Sequence, residues 1–390
     1  MWVDLEGLSA VIFIPDDTAK SGFPQPVMLQ SIYGAPLLSW LSEAMFASGV
    51  GRFFLVCHDR YLAQAMTCIP SQAEVMTTAD SNPTDLLHVF LSTADEDEIT
   101  IVAGPAVYAP MLAKREGTPK TSCACRALRE ELMTALDESF SFSQFLRDNC
   151  TFLSDFDGWF TVDSPAALLE LGTILRRDRM LRLMKQGVSI FDADSCYVAP
   201  SARIEPGVQL LEGAIVRENC LIRSESIIGP WSVIENSEIG ERTVVNASQI
   251  YGSKIASDCN IGPYAHIRPE TVIDRGVKIG NFVEVKNSHI GENTWASHLS
   301  YIGDAEFGAR CNLGCGTVTV NFDRVQKYRT NVGDDAFIGC HSALIAPLTV
   351  GNGAYIAAGS TLTDDVPENA LAISRTRQIN KKDWAAKHKK

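Results

Sequence analysis

The sequence predicts two domains: an α/β domain, then a left-handed parallel β-helix. Three observations predict this. The chain has 390 residues, beyond the usual size of one domain. Residues 1–165 alternate short apolar runs with helical patterns. From about Tyr197 onward the texture changes to a six-residue period of aliphatic residues, many followed by glycine.

The first domain is read from its apolar runs. Ser9–Ile14, Arg52–Cys57 and Thr100–Ala103 are candidate strands, with helical patterns at 35–48 and 83–92 between them. Strands alternating with helices imply a parallel, Rossmann-like sheet with crossover helices. Over residues 110–160 the reading gives one helix at Cys125–Asp137 and another at Ser143–Asn149. A stronger helix spans 164–186. Asp163 or Ser164 can cap it, Pro165 suits its first turn, and Gly187 stops it.

The repeat then takes over. Ile255, Ile261, Ile267, Ile273 and Ile279 keep a step of six, and the step from Val285 to Ile290 slips to five. Small residues recur four positions after the aliphatic one. Three such hexapeptides form one triangular coil, with the aliphatic side chain inside the prism and the glycine expected at a corner. A β-sandwich is the competing reading, but its strands would not hold a six-residue phase over so many repeats. The phase breaks over Thr319–Asn331, a long loop of the kind that tends to carry function.

Composition excludes some classes. A net charge of -13 argues against a nucleic-acid binder, though a local basic pocket for a small phosphorylated ligand is compatible with it. No run approaches the roughly 18 apolar residues of a membrane span. The opening MWVDLEG has two acids and no basic stretch, so no secretory signal and a cytoplasmic location are expected. The eleven cysteines are scattered, and Cys123 and Cys125 are too close for a zinc knuckle. They read as reduced core residues, with a zinc site as the lesser alternative.

At this point a resemblance emerges. The segments IGPYAHIRPE (261–270), IGNFVEVKNSHIG (279–291), SHLSYIGDAEFG (297–308), NLGCGTVTVNFD (312–323), IAAGSTLTDDVPENALAISR (356–375) and the final KKDW carry it. From about residue 164 to its end the chain resembles the acetyltransferase half of the bifunctional UDP-N-acetylglucosamine pyrophosphorylase/glucosamine-1-phosphate N-acetyltransferases. The resemblance implies transfer of an acetyl group from acetyl-CoA to the amine of glucosamine 1-phosphate. It also implies a homotrimer with each site between neighbouring β-helices, and no metal for acetyl transfer.

The resemblance assigns roles residue by residue. His298 matches the catalytic base, and its ordinary pKa near 6.5 lets it accept a proton at neutral pH. A structural hydrogen bond at a coil corner is its plainer reading. Arg268 and Lys286 match the sugar-phosphate positions. They stand 18 residues apart, one coil, so they should stack on one face as a fork and a point charge for one phosphate. Solvated surface cations are the alternative. Tyr301 and Asn312 match sugar contacts, although Asn312 could instead cap a corner. Cys315, Asn321, Phe322, Cys340, Ala358 and Arg375 match the coenzyme positions. Three of these depart from the pattern: Cys315 replaces alanine, Phe322 tyrosine and Cys340 serine. Lys327 and Arg329 in the loop could assist the coenzyme or be solvated. The basic tail could pack on a neighbouring chain or fray.

The first half departs further. The resembling family has a glycine-rich phosphate loop after its first strand, then a lysine. Here Pro15-Asp16-Asp17-Thr18-Ala19-Lys20-Ser21-Gly22 stands instead, and two aspartates would repel phosphate. Gln25 replaces the lysine, Asn82-Pro83-Thr84 the uracil-reading turn, and Val102-Ala103-Gly104-Pro105 the metal-binding aspartate. The half is also short for the family. A degenerate nucleotidyltransferase-like domain over 1–163 is therefore expected, without uridyl transfer. A linker helix over 164–190, the β-helix over 191–375 and a basic tail over 376–390 follow. A separate uridyltransferase is then a possible partner. The competing readings are an acyltransferase for another amino-sugar phosphate or sugar nucleotide, and a non-catalytic scaffold or regulatory subunit.

Overall fold

The structure, a computed structural model, describes residues 8–79, 83–114, 116–137, 142–162 and 164–388. Asp163, Asn82, the opening seven residues and the last two lysines lie outside the described residues. The chain divides into two compact units, Met1–Pro206 with Glu212–Cys220, and Gly207–Leu211 with Leu221–Lys390.

The first unit holds a six-stranded sheet. In spatial order its strands are Glu74–Thr78, Val50–Cys57, Leu8–Ile14, Glu98–Val102, Thr121–Leu128 and Thr151–Ser154. The first four are parallel, as expected, but the last two run antiparallel, so the sheet is mixed. One face buries Val11, Phe54, Leu87, Phe90 and Ile101.

The predicted helix at Cys125–Asp137 is corrected. Its first part is the strand Thr121–Leu128, and only Arg129–Asp137 is helical. Arg126 and Leu128 are exposed while Cys125 and Ala127 are buried, which is strand alternation. Glu130 and Glu131 then sit in the first helical turn, where the helix dipole favours them. The long helix is Pro165–Lys185, with Ser164 Oγ accepting the Ala167 N–H at 3.2 Å. Gly187 past its end adopts φ +92°.

The second unit is the β-helix. Each coil contributes one strand to each of three parallel faces. Face 1 contains Lys278–Asn281, Trp295–His298, Asn312–Leu313, Phe337–Ile338 and Tyr355–Ile356. Face 2 contains Glu284–Lys286, Tyr301–Gly303, Val318–Val320 and Ala343–Ile345. Face 3 contains His289–Ile290, Ala305–Phe307 and Thr330–Val332. The expected aliphatic stack is the core: Ile255, Ile261, Ile267, Ile273 and Ile279 are all buried. The small residues four positions on are buried too, and many are hydroxyls bonded to backbone of the next coil. Thr243 Oγ1 donates to Ala256 O at 2.9 Å and accepts the Cys259 N–H at 3.1 Å.

The glycines stand where the next coil crowds the corner. The left-handed residue of most corners is not glycine. It is Arg242, Asp258, Phe282, Asn293 or Leu299, all with φ between 42° and 62°. The repeated glycine lies two residues earlier, where a Cβ would strike the next coil. At Gly240 it would stand 2.5 Å from the Ala256 carbonyl carbon. Gly240→Ala should therefore cost about 1–3 kcal/mol through overpacking. Denaturant unfolding measures it, and unchanged stability would contradict the close approach.

Face 3 carries an ionic ladder. His289 Nε2 lies 2.8 Å from Asp274 and Nδ1 2.6 Å from Glu306, and Arg329 reaches Glu306 at 3.3 Å. Partial burial disfavours the charged ring, but the two carboxylates outweigh it and the His289 pKa is raised. A raised folded-state pKa stabilises fully below the unfolded value, about 6.5, and the stabilisation is lost as pH rises through the folded value. Thermal melts from about pH 6 to about pH 9 should show a stability loss in the wild type that His289→Gln flattens. Parallel curves for the two proteins would contradict the ladder.

Candidate functional site

The candidate residues lie at the two edges of face 2, His298 at its corner with face 1 and Arg268 and Lys286 at its corner with face 3. Register decides what meets there. Asn281 pairs with His298 on adjacent coils of face 1. Continuing the pairings upward, Cys315 follows His298, Cys340 follows Cys315, and Ala358 follows Cys340. One column thus runs Asn281, His298, Cys315, Cys340, Ala358.

His298 is exposed, and its Nδ1 lies 2.7 Å from the Asn281 Oδ1. An amide oxygen only accepts, so Nδ1 carries the proton and Nε2 keeps its lone pair. That is the tautomer a base needs. Sequence reading missed Asn281, since only the 17-residue coil offset marks it.

On face 2 the pairing of Ile267 with Val285 continues by one residue, with Arg268 N–H bonded to Val285 O at 2.8 Å. Arg268 therefore lies directly under Lys286, as their spacing predicts. Arg268 Nη1 also meets Glu284 at 2.8 Å. The position above Lys286 is Gly303. The Tyr301 hydroxyl and ring fill the space a Cβ on Gly303 would take.

The loop supplies a third cation. The Lys286 ammonium is held below the usual lysine value, first by the neighbouring Lys327 and then by slight burial and Arg268, with Asp304 opposing. Two ammonium groups turned toward each other favour an anion between them. The sequence reading had placed Lys327 with the coenzyme or in solvent; the structure puts it beside Lys286.

Asp304 ties this loop to the prism. It is buried, and its two carboxylate oxygens accept from the side-chain amides of Asn287 and Asn321. Its carbonyl accepts the Thr330 N–H at 3.2 Å. Asn321 in turn accepts the Tyr328 N–H at 2.9 Å, and Phe322 pairs across the loop with Lys327. The strands Val318–Val320 and Thr330–Val332 belong to the coils, so the protruding part is 321–329.

The other expected residues scatter. Asn312 is on face 1, beside Trp295 and Phe337, away from the face that carries Arg268 and Lys286. Phe322 is exposed on the loop. Arg375 is exposed, and its Cδ lies 3.7 Å from where a Cβ on Gly359 would stand, at the top of the column. Above His298 the column continues through the small residues Cys315, Cys340 and Ala358, with Arg375 near its top.

The family model "Bacterial transferase hexapeptide (six repeats)" matches residues 252–287. A bifunctional GlmU protein of Geobacillus thermodenitrificans is 51% identical over 230 residues, 59% of this chain and 50% of that protein. Those of a Geobacillus species and of Halalkalibacterium halodurans are 46% identical over 246 residues and 45% over 226, covering 54% and 50% of those proteins. Over these residues the chain resembles bifunctional GlmU proteins. It spans about half the length of the curated relatives it matches. Among solved structures, the UDP-N-acetylglucosamine acyltransferase of Francisella novicida is 20% identical, with a TM-score of 0.31, over 44% of this chain and 66% of that one. The inositol-1-phosphate CTP transferase of T. maritima is 14% identical, with a TM-score of 0.34, over 45% of this chain and 97% of that one.

In the first unit, the loop after the first strand satisfies itself. Asp16 pairs with Arg60 and accepts from Thr18, Asp17 accepts the Val27 N–H at 3.1 Å, and Thr18–Ser21 form one helical turn. Gln25 turns its amide onto Leu29 O at 2.6 Å.

Asp304→Asn would set an amide against the amide of Asn287 or Asn321. Losing one buried acceptor costs on the order of 1–3 kcal/mol. Tryptic cleavage after Arg324 and Lys327 should speed up about tenfold or more, the size that such a loss implies. Unchanged cleavage would remove Asp304 as the anchor.

Proposed function

We propose that the chain transfers an acetyl group from acetyl-CoA to the amine of glucosamine 1-phosphate, giving N-acetylglucosamine 1-phosphate for UDP-N-acetylglucosamine synthesis. The observation that carries this is the joint occurrence of His298, with Nδ1 on an amide oxygen, and three cations: Lys286 one coil below, Arg268 two coils below and Lys327 on the loop. Arg268, Lys286 and Lys327 hold the phosphate. His298 Nε2 takes the proton from the amine as its nitrogen attacks the thioester carbonyl carbon, and the coenzyme thiolate leaves. Tyr301 borders the sugar.

Acetyl-CoA supplies the activated acyl group. The column Cys315, Cys340 and Ala358 would hold its arm, with Asn321, Phe322 and Arg375 beside it. Asn312 lies on the other face of the corner, which favours a homotrimer in which a neighbouring copy's Asn312 completes each site. The β-helix of about 191–375 is then the acetyltransferase domain. No metal is called for in this chemistry, and none of these steps needs a membrane or nucleic acid. Among the described residues no helix is long and apolar enough to cross a membrane. A cytoplasmic site is part of this reading.

Uridyl transfer is taken to be lost. Asp16 and Asp17 fill the loop where phosphates would sit, and Gln25 is turned away. The product would then pass to a separate uridyltransferase.

A thiol-release assay with acetyl-CoA and glucosamine 1-phosphate, run beside a pyrophosphate-release assay with UTP and N-acetylglucosamine 1-phosphate, tests both halves. Acetyl transfer alone is expected. Uridyl transfer would overturn the reading of the first unit, and neither activity would move the acceptor or leave a scaffold. His298→Ala should lower kcat about 100-fold or more, and a loss of only a few-fold would remove it as the base. Lys286→Ala should chiefly raise KM for the sugar phosphate, because it reads a group present throughout the reaction. An effect confined to the KM for acetyl-CoA would contradict that role.

A further inference from the structure

Cys315 and Cys340 are 25 residues apart, a spacing that hides their relation. The pairing of Leu313 with Ile338 continues through them: Gly314 N–H bonds to Ile338 O at 2.7 Å, and His341 N–H to Cys315 O at 2.7 Å. They occupy one position of consecutive coils. The spacing between paired strands, about 4.8 Å, falls within the Cα separation that a disulfide spans, about 4.4–6.8 Å.

Cys340 is the exposed one of the eleven cysteines, and Cys315 is half-buried, as are Cys123 and Cys150. Seven of the eleven are buried, among them Cys68, Cys259 and Cys311, which donate their S–H to carbonyls. The thiols of Cys315 and Cys340 are both free. They also sit one and two coils above His298 in the same column.

We propose that Cys315 and Cys340 form a modification site, a thiol pair that closes to a disulfide under a peroxide and blocks the coenzyme path. The exposed Cys340 thiolate attacks a peroxide oxygen, giving a sulfenic acid and releasing water. The Cys315 thiol then displaces the hydroxyl from that sulfur as a second water. Two thiols and one hydrogen peroxide become one disulfide and two waters. A dithiol reductant reverses the step by exchange. Closure turns the two sulfurs toward each other and ties the two coils' corners across the column that the coenzyme arm would follow. This consequence rests on the proposed acetyltransferase reading; the cross-link itself does not.

The test treats the full chain with hydrogen peroxide and digests it without reduction. Mass spectrometry should find the peptides of Cys315 and Cys340 joined, with the loss of two hydrogens, and dithiothreitol should release them. Acetyl transfer should fall at least tenfold and recover on reduction. Cys340→Ser should lack the cross-link and keep its own untreated activity through the same exposure. Cys340 reaching sulfinic acid while Cys315 stays a free thiol would overturn the pair. A cross-link that leaves acetyl transfer unaltered would uphold the pair and overturn the coenzyme path along this column.

Discussion

Coil-to-coil backbone pairing governs the second unit. Each strand of a face bonds to the strand one coil away, so every outward side chain has its vertical neighbours assigned by register. The interior enforces that register twice. Aliphatic residues stack inside the prism, and buried hydroxyls such as Thr243 and Thr294 bond backbone of the coil above. The glycines permit the approach, since at Gly240 or Gly291 a Cβ would meet backbone 2.5 Å away. The corner column of the site follows directly from this pairing. Asn281 can orient His298 only because they occupy the same position on adjacent coils.

The loop is the one departure from this regularity, and it is anchored rather than loose. Asp304 stands at a corner with φ 50° and holds amides from both the coil below and the loop. Its negative charge also lies among cations that otherwise repel each other. The arrangement keeps Lys327 turned to Lys286 while leaving the three cations without enough negative charge of their own. Glu284 serves Arg268 alone. Under the proposed function, an incoming phosphate would supply what is missing.

Much of this was legible in the sequence, for reasons that differ by residue. The β-helix was visible because an inward aliphatic every six residues is a physical requirement of the coil. The stacking of Arg268 on Lys286 followed from a one-coil spacing. Cys125–Asp137 misled because Cys-Ala-Cys-Arg-Ala-Leu satisfies a helical and a strand period alike, and only pairing with Glu98–Val102 decides. The glycines were legible as corner positions where a side chain would crowd, while the left-handed residue two positions on was not, because many residue types take that conformation there. Lys327 and the cysteine pair were hidden by the loop, which lengthens the offset between paired residues from 17 to 25. A charge whose partner lies across an insertion has no fixed sequence spacing to betray it.

The uniform pitch of the prism has a further consequence. Arg268, Lys286, His298, Cys315 and Cys340 occupy five successive coils, so heights along the site come in steps of about 4.8 Å. The molecule is thus a ruler with coarse graduations. Removing or adding a whole coil would shift Arg268 and Lys286 by one graduation from His298 while leaving every face pointing as before. Substrates of different length can be accommodated by counting coils, without redesigning any single side chain.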